Sequence, residues 1–206
     1  MCGRYVIINS VNKTSNIVKK VINVDNSENY NAHPQQNLPI IKKYKNGNTL
    51  EIHKWGIVPS WAKKKEFRPL INARIETINE KISFKKLIKT NRCIVVADGF
   101  YEWKREGNTK TPYYFFRNDK KTIFFAGIYS NNEFCLITEN ASPKVYEIHD
   151  RQPVIINKSD INLYLNTSND GSKELENRNK PLLEFYKVSK EVNKPANNHS
   201  SLTQKI

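Results

Sequence analysis

The second residue carries the least ordinary chemistry in the chain. If Met1 is removed, as the small side chain of Cys2 permits, Cys2 becomes a terminal residue with a free α-amine and a thiol two carbons apart. An α-amine of pKa about 7.7 to 8.0 is roughly a tenth neutral at pH 7, whereas a lysine near 10.4 is almost wholly charged. Such an amine attacks an aldehyde to give an imine, and the adjacent thiol can then close a five-membered thiazolidine. A small buried residue at the start of a strand would look the same, and Met-Cys alone does not separate the two.

Four other places hold more chemistry than a sheet requires. In the stretch 71–77, INARIET, the amide of Asn72 could hydrogen-bond a sugar hydroxyl or orient a carbonyl, and Arg74 could fork onto a phosphate; an asparagine turn followed by a solvated Arg-Glu pair is the alternative. Glu102 stands between Tyr101 and Trp103, just after the apolar run Ile94 to Ala97. A carboxylate among aromatics is partly desolvated, which raises its pKa and suits it to proton transfer near neutrality. An outward-facing hairpin glutamate is the competing reading. His149, followed by Asp150 and Arg151, could shuttle protons to an opening sugar ring while Arg151 holds a phosphate, or could be a hydrogen-bonded loop residue. Trp61, ahead of Lys63, Lys64 and Lys65, could stack a nucleic-acid base, whereas Trp55 reads as core.

Phosphate-cradling, dinucleotide, zinc-protease, nucleophile-elbow and zinc-deaminase motifs are absent from the sequence. Cys2, Cys93 and Cys135 are odd in number and widely spaced, so neither a disulfide framework nor a zinc ribbon is expected, and no metal or cofactor is implied. Cys93 and Cys135 lie in apolar runs and read as small buried hydrophobes.

These residues need a scaffold to bring them together. Alternating or β-branched stretches predict strands at Arg4–Ile8, Thr49–Val58, Arg92–Ala97, Pro112–Arg117, Thr122–Tyr129 and Phe134–Thr138, with a hairpin turning at Gly107-Asn108. Helices are expected at Ser15–Val21, Ser83–Lys89 and Asp160–Leu165, the last capped by Ser159, with one short turn at Pro143–Tyr146. Residues 166–180 read as a polar surface loop, and periodicity is weak from Glu191 onward. The expectation is one α+β domain over residues 1–206, mostly β, with a few short helices around a central antiparallel sheet.

Lys plus Arg number 34 against 20 Asp plus Glu, a net charge of +14 that attracts polyanions, nucleic acid first among them, unless it is a solubilising lysine coat. No apolar run reaches the length of a membrane span, and the N-terminus lacks the plan of a secretory signal. A soluble intracellular protein is expected, cytoplasmic or nucleoid-associated if bacterial, with no membrane contact.

Taken in order, MCGRY, WGIVPSWAK, LINARIET, ADGFYEWK, FAGIYS, LIT and IHDRQPVII resemble the SOS response-associated peptidase (SRAP) family of abasic-site processing proteins. The likeness runs from residue 1 to about 156, with a fainter echo at 188–193. It implies a compact, barrel-like β fold and a groove for single-stranded DNA containing abasic sites; a monomer without an obligate protein partner is the working expectation, which the sequence itself leaves open. It further implies that Cys2 is the nucleophile once Met1 is lost, with self-processing as one route to that loss, and that Asn72, Glu102 and His149 surround it. By the same likeness Arg4, Arg74 and Arg151 face phosphates, Pro34 and Trp61 wedge the strand, and weak lyase action accompanies crosslinking. His33, Ala62 and Gln152 depart from the family pattern. Two other classes remain: an N-terminal-cysteine amidohydrolase, suggested by the opening Met-Cys-Gly, and a noncovalent nucleic-acid-binding module with Cys2 buried.

Overall fold

A computed structural model describes residues 2–25, 28–45, 47–62 and 67–206. Among them fourteen strands follow in chain order: β1 Tyr5–Ile7, β2 Lys20–Ile22, β3 Asn29–Ala32, β4 Asn37–Tyr44, β5 Gly47–Trp55, β6 Asn72–Arg74, β7 Arg92–Ala97, β8 Gly99–Glu106, β9 Thr109–Arg117, β10 Ile123–Ser130, β11 Glu133–Asn140, β12 Arg151–Pro153, β13 Ile155–Ile156 and β14 Leu183–Lys187. All six stretches expected as strands are extended in whole or large part. The hairpin turns at Gly107-Asn108, where Glu106 pairs with Thr109 and Gly107 takes a φ of +55°. A φ of that sign suits glycine, which has no Cβ to clash.

The strands form two sheets. The larger runs β12-β11-β10-β7-β4-β5-β2, with β6 and β13 attached. A short parallel pairing of Glu133 with Lys54 and Phe134 with Trp55 joins β11 to β5, so that β5, β4, β7, β10 and β11 close a ring. The expected barrel is therefore a ring closed at one short seam. Its antiparallel character is also incomplete, because β2 and β6 pair in parallel as well. The second sheet, β14-β9-β8-β1-β3, is antiparallel throughout.

Aromatic rings fill the space between the sheets. Phe100 of β8 stacks on Phe115 at 5.0 Å and meets the edge of Phe125 at 5.9 Å, while Tyr5 of β1 packs on Trp55 at 5.2 Å. All five are fully buried, so strands from both sheets share one apolar core. That shared core fixes β1 and β8 against the ring, and the N-terminus with them.

Helices depart most from expectation. The segment expected as a helix at Ser15–Val21 ends in β2, whose Lys20 and Val21 pair with Thr49 and Leu50, and the helix lies earlier, at Ser10–Thr14. β-Branched Val18, Val21 and Ile22 favour the extended form once an edge is available. In the second region only Leu87–Thr90 is α-helical. Pro143–Tyr146 and Ile161–Leu165 are helical as expected, but Ser159 spends its hydroxyl on Asp160 and does not cap. The polar stretch 166–180 contains a helix, Gly171–Glu176, whose N-cap Asp170 accepts from the amides of Ser172 and Lys173. Its buried face consists of Gly171, Ser172 and Leu175, too little apolar area to show as periodicity. Asn-rich β3, and β14, also lacked a legible pattern. The tail after Lys187 packs Val188, Val192 and Leu202 onto Tyr101 and Tyr114, on the face of β8 and β9 away from the main core.

Candidate active site

Register delivers the first contact. Tyr5 pairs with Phe100 in antiparallel β1–β8, and the Tyr101 amide donates to the Arg4 carbonyl at 3.0 Å. Continuing that register sets residue 3 opposite Glu102, so the N-terminal segment must run beside this carboxylate. Cys2 is fully buried, and its thiol approaches the Arg4 carbonyl at 3.8 Å. Asn72 arrives from the ring: β6 pairs with β11, opposite Leu136, and the Asn72 amide donates to the Cys2 carbonyl at 3.0 Å. The Asn72 Oδ1 is buried and has no hydrogen-bond partner among the described residues.

His149 comes from the turn after Pro143–Tyr146, where its amide donates to the Val145 carbonyl at 2.9 Å. Its Nε2 stands 3.9 Å from Glu102 Oε2. That is beyond a direct hydrogen bond but is spanned by one water or a substrate hydroxyl. The Nδ1 lies 3.0 Å from both the Arg151 amide and Asp150 Oδ1, which ask for opposite tautomers. The backbone donor decides, because Asp150 is 73% exposed and can turn to water. Nδ1 therefore accepts, and the neutral ring carries its proton on Nε2, facing Glu102.

Burial sets the protonation states. It pushes Glu102, only 2% exposed, up to about 7, so this carboxyl gives or takes a proton near neutral pH. Burial lowers His149, favouring the neutral ring, and raises the Cys2 thiol far above its ordinary value, so that it is a thiol and not a thiolate. A cleft of about 440 Å³ opens on the pair, lined by Glu102, Trp103, Arg105, Lys110, His149 and Asn193.

The remaining residues singled out in the sequence lie elsewhere. Arg74 is exposed at the end of β6. Arg4 is engaged by Asn31 Oδ1 at 2.7 Å and the Val192 carbonyl at 2.8 Å, and so ties the tail to the N-terminal strand. Arg151 is buried; Glu76 grips its guanidinium at 2.6 and 2.9 Å, with Asn140 at 2.6 Å. Its fork is occupied within the protein, because β12, at the edge of the larger sheet, pairs with β11 and sets Arg151 opposite Asn140. It braces the strand that follows His149. Trp61 is 62% exposed and meets Phe67 edge-on at 5.4 Å. Pro34 is partly buried in a turn, its carbonyl 2.9 Å from His33 Nδ1. The lysines 63–65 and Met1 fall outside the described residues. Sequence reasoning missed Arg105 and Lys110, which the Gly107 turn makes cross-strand partners. It also missed Asn193, whose Oδ1 accepts from the Trp103 indole at 2.7 Å. The pairing of Arg105 with Lys110 was countable from the turn; for Asn193 the one signal was the faint family echo at 188–193.

Among the described residues no group of His, Cys, Asp and Glu could hold a metal, and no helix is long and apolar enough to cross a membrane.

Known proteins share this arrangement of sheets. A crystal structure of a protein from Bacteroides thetaiotaomicron superposes over 100% of both chains with a TM-score of 0.84 at 24% identity, a likeness of fold. The abasic site processing protein YoqW of Bacillus subtilis is 33% identical across 99% of each chain. The abasic site processing protein YedK of Escherichia coli is 35% identical over 62% of this chain and 60% of its own length. The description "SOS response associated peptidase (SRAP)" matches residues 1–195. With that match spanning nearly the whole sequence, the chain belongs to the SRAP family.

Proposed function

We propose that this protein captures abasic sites in single-stranded DNA through Cys2, once Met1 has been lost. The observation that carries the reading is the convergence of Cys2, Asn72, Glu102 and His149 from four distant stretches of sequence. An amide–carbonyl bond of 3.0 Å and a carboxyl–imidazole approach of 3.9 Å link them in two pairs. The Cys2 amine attacks C1′ of the ring-opened sugar, giving a carbinolamine that loses water to an imine. The thiol then adds across the C=N bond, its proton passing to nitrogen, and the thiazolidine closes. Because the thiol is held protonated, nitrogen attacks first.

Each neighbour has a proton or a position to manage. His149, with its proton on Nε2, assists ring opening. Glu102, poised near 7, removes a proton from the amine and returns it to the leaving hydroxyl. Asn72 fixes the terminal residue through its carbonyl and leaves Oδ1 to accept from the amine or sugar. Arg105 and Lys110 give the cleft the charge a phosphate requires, and exposed Arg74 adds a further contact. At the imine stage, loss of the 3′ phosphate by β-elimination competes, so weak lyase activity accompanies capture and thiazolidine closure suppresses it. Removal of Met1 by the protein itself would account for the family's peptidase name.

Intact mass spectrometry before and after incubation with a single-stranded oligonucleotide carrying one abasic site tests this directly. The expected result is a chain lacking Met1 that gains the oligonucleotide mass less one water. Cys2→Ala gains nothing. Retention of Met1 in a crosslinked product, or an equal adduct on Cys2→Ala, overturns the reading.

A further inference from the structure

The chain's excess of positive charge gathers at a second place, at the opposite end of β9 from Lys110. Around the turn at 117–122 two clefts lie side by side and share Arg117, Lys120 and Lys121. One, of about 560 Å³, also has Lys13 and Lys158 in its wall. The other, of about 280 Å³, is lined by the rings of Tyr114, Phe116 and Tyr186. These rings are packed together, with Phe116 lying 6.0 Å from Tyr114 and 5.3 Å from Tyr186.

Two carboxylates answer these five cations. Asp98 pairs with Lys13, and Asp119 takes Arg117 at 2.7 Å and Lys121 at 3.6 Å. Lys120 and Lys158 have no ion pair among the described residues. Lys120 instead holds its ammonium 3.6 Å from the centre of the Phe116 ring. Its φ of +56° is one that turns ordinarily give to Gly or Asn, so the backbone adopts an unfavoured form while the lysine lies over the ring. Exposed cations beside aromatic faces are what a phosphate chain bearing planar bases requires.

We infer that these adjoining clefts form a second contact for single-stranded nucleic acid, with phosphates along Lys120, Lys121 and Lys158, the Lys120 ammonium giving up its place over the Phe116 ring to a base. The inference rests on the reading above only in taking nucleic acid as the ligand. Tyr113, the partner of Glu102, is four residues from Arg117, a distance of about 13 Å along β9, and Phe116 lies on the opposite face of that strand, so the path from the Cys2 site is longer still. A strand of only a few nucleotides therefore fills the Cys2 site alone, and a longer one reaches both.

The test uses the full chain and an undamaged twenty-nucleotide thymidine strand, which offers no aldehyde. Binding is followed by fluorescence anisotropy across a salt series. Lys120→Glu, Lys121→Glu and Lys158→Glu together should weaken binding about tenfold and flatten the salt slope by about 2, the value for three lost contacts at about 0.7 each. Charge swaps at exposed Lys81, Lys85 and Lys89 should do markedly less. Crosslinking to a five-nucleotide abasic strand should be unchanged in the first triple variant; its failure in the unmodified protein would fall on the Cys2 reading instead. An unchanged slope, or equal losses in the two triple variants, overturns the second contact.

Discussion

Among the described residues lie two histidine–glutamate pairs, each with one buried partner, and only one has the makings of a catalytic couple. His149 and Glu102 stand 3.9 Å apart; His53 and Glu51, on β5, stand 3.6 Å apart. By distance alone the second pair is the better one. Its glutamate, however, also receives Lys42 at 2.8 Å and the Thr49 hydroxyl at 2.8 Å. Burial works to raise Glu51, but these hydrogen bonds outweigh it and leave the pKa below the ordinary carboxylate value. His53 is held low by burial and by Lys42, and its ring packs edge-on against Tyr129. At neutral pH this set is a fixed charge pair beside a neutral ring. Glu102 is raised because burial outweighs the charge and hydrogen bonds that act to lower it, and it opens onto a cleft. What separates a proton-transfer site from a structural ion pair is thus whether burial or the neighbouring charges and hydrogen bonds prevail at the carboxyl.

Breaking each histidine gives the largest contrast. His149→Ala should slow adduct formation by about 10²-fold or more, as loss of a general acid–base group does. His53→Gln should leave the rate unchanged, measured by gel-resolved crosslinking under single-turnover conditions. Equal losses would end the distinction.

The glutamates should differ in sign. Glu102 has a folded pKa near 7 against an ordinary value of 4.5, so burying its charge costs nothing below about 4.5 and its full amount above 7. Glu102→Gln should therefore gain stability over the parent as pH rises from 4.5 to 7, reaching about 2–3 kcal/mol at pH 8. Glu51 is lowered, so its contribution is present above its unfolded pKa and lost as pH falls. Glu51→Gln should destabilise at pH 7 and converge with the parent in acid. Urea melts at pH 4, 6 and 8 read both trends, and two curves of the same sign would contradict the assignment.

The smallest effect sharpens the cause. Lys42→Met removes the charge that offsets burial at Glu51, and the carboxyl pKa, followed by carbon NMR, should move above its ordinary value. If it stays low, Thr49 and not Lys42 is what holds it.

Much of this site was visible before folding was considered. Cys2 stood out because position alone gives it two reactive groups, and Glu102 because aromatic neighbours in a hairpin foretell desolvation. Residues such as Arg4 and Arg151 show the limit. Both are cationic and both lie in stretches that resemble the family, yet one is held by Asn31 and the Val192 carbonyl and the other by Glu76, partners 27, 188 and 75 positions away. Nothing in their own segments distinguishes them from exposed Arg74. Helices suffered similarly. Elements of four to six residues carry too few turns for apolar period to register, and β2 became a strand because β5 offered an edge.

Sequence by itself determined which chemical groups exist, the strands made by local alternation, the tight turn at Gly107, and the order of motifs that marks the family. Tertiary structure alone decided which cation is spent inside the protein, which carboxyl keeps a movable proton, and that Cys2 and Asn72 are bonded neighbours. The reason is physical. Alternation and turn preference are properties of a few adjacent residues, whereas desolvation and charge pairing depend on every group that packing brings within a few ångströms.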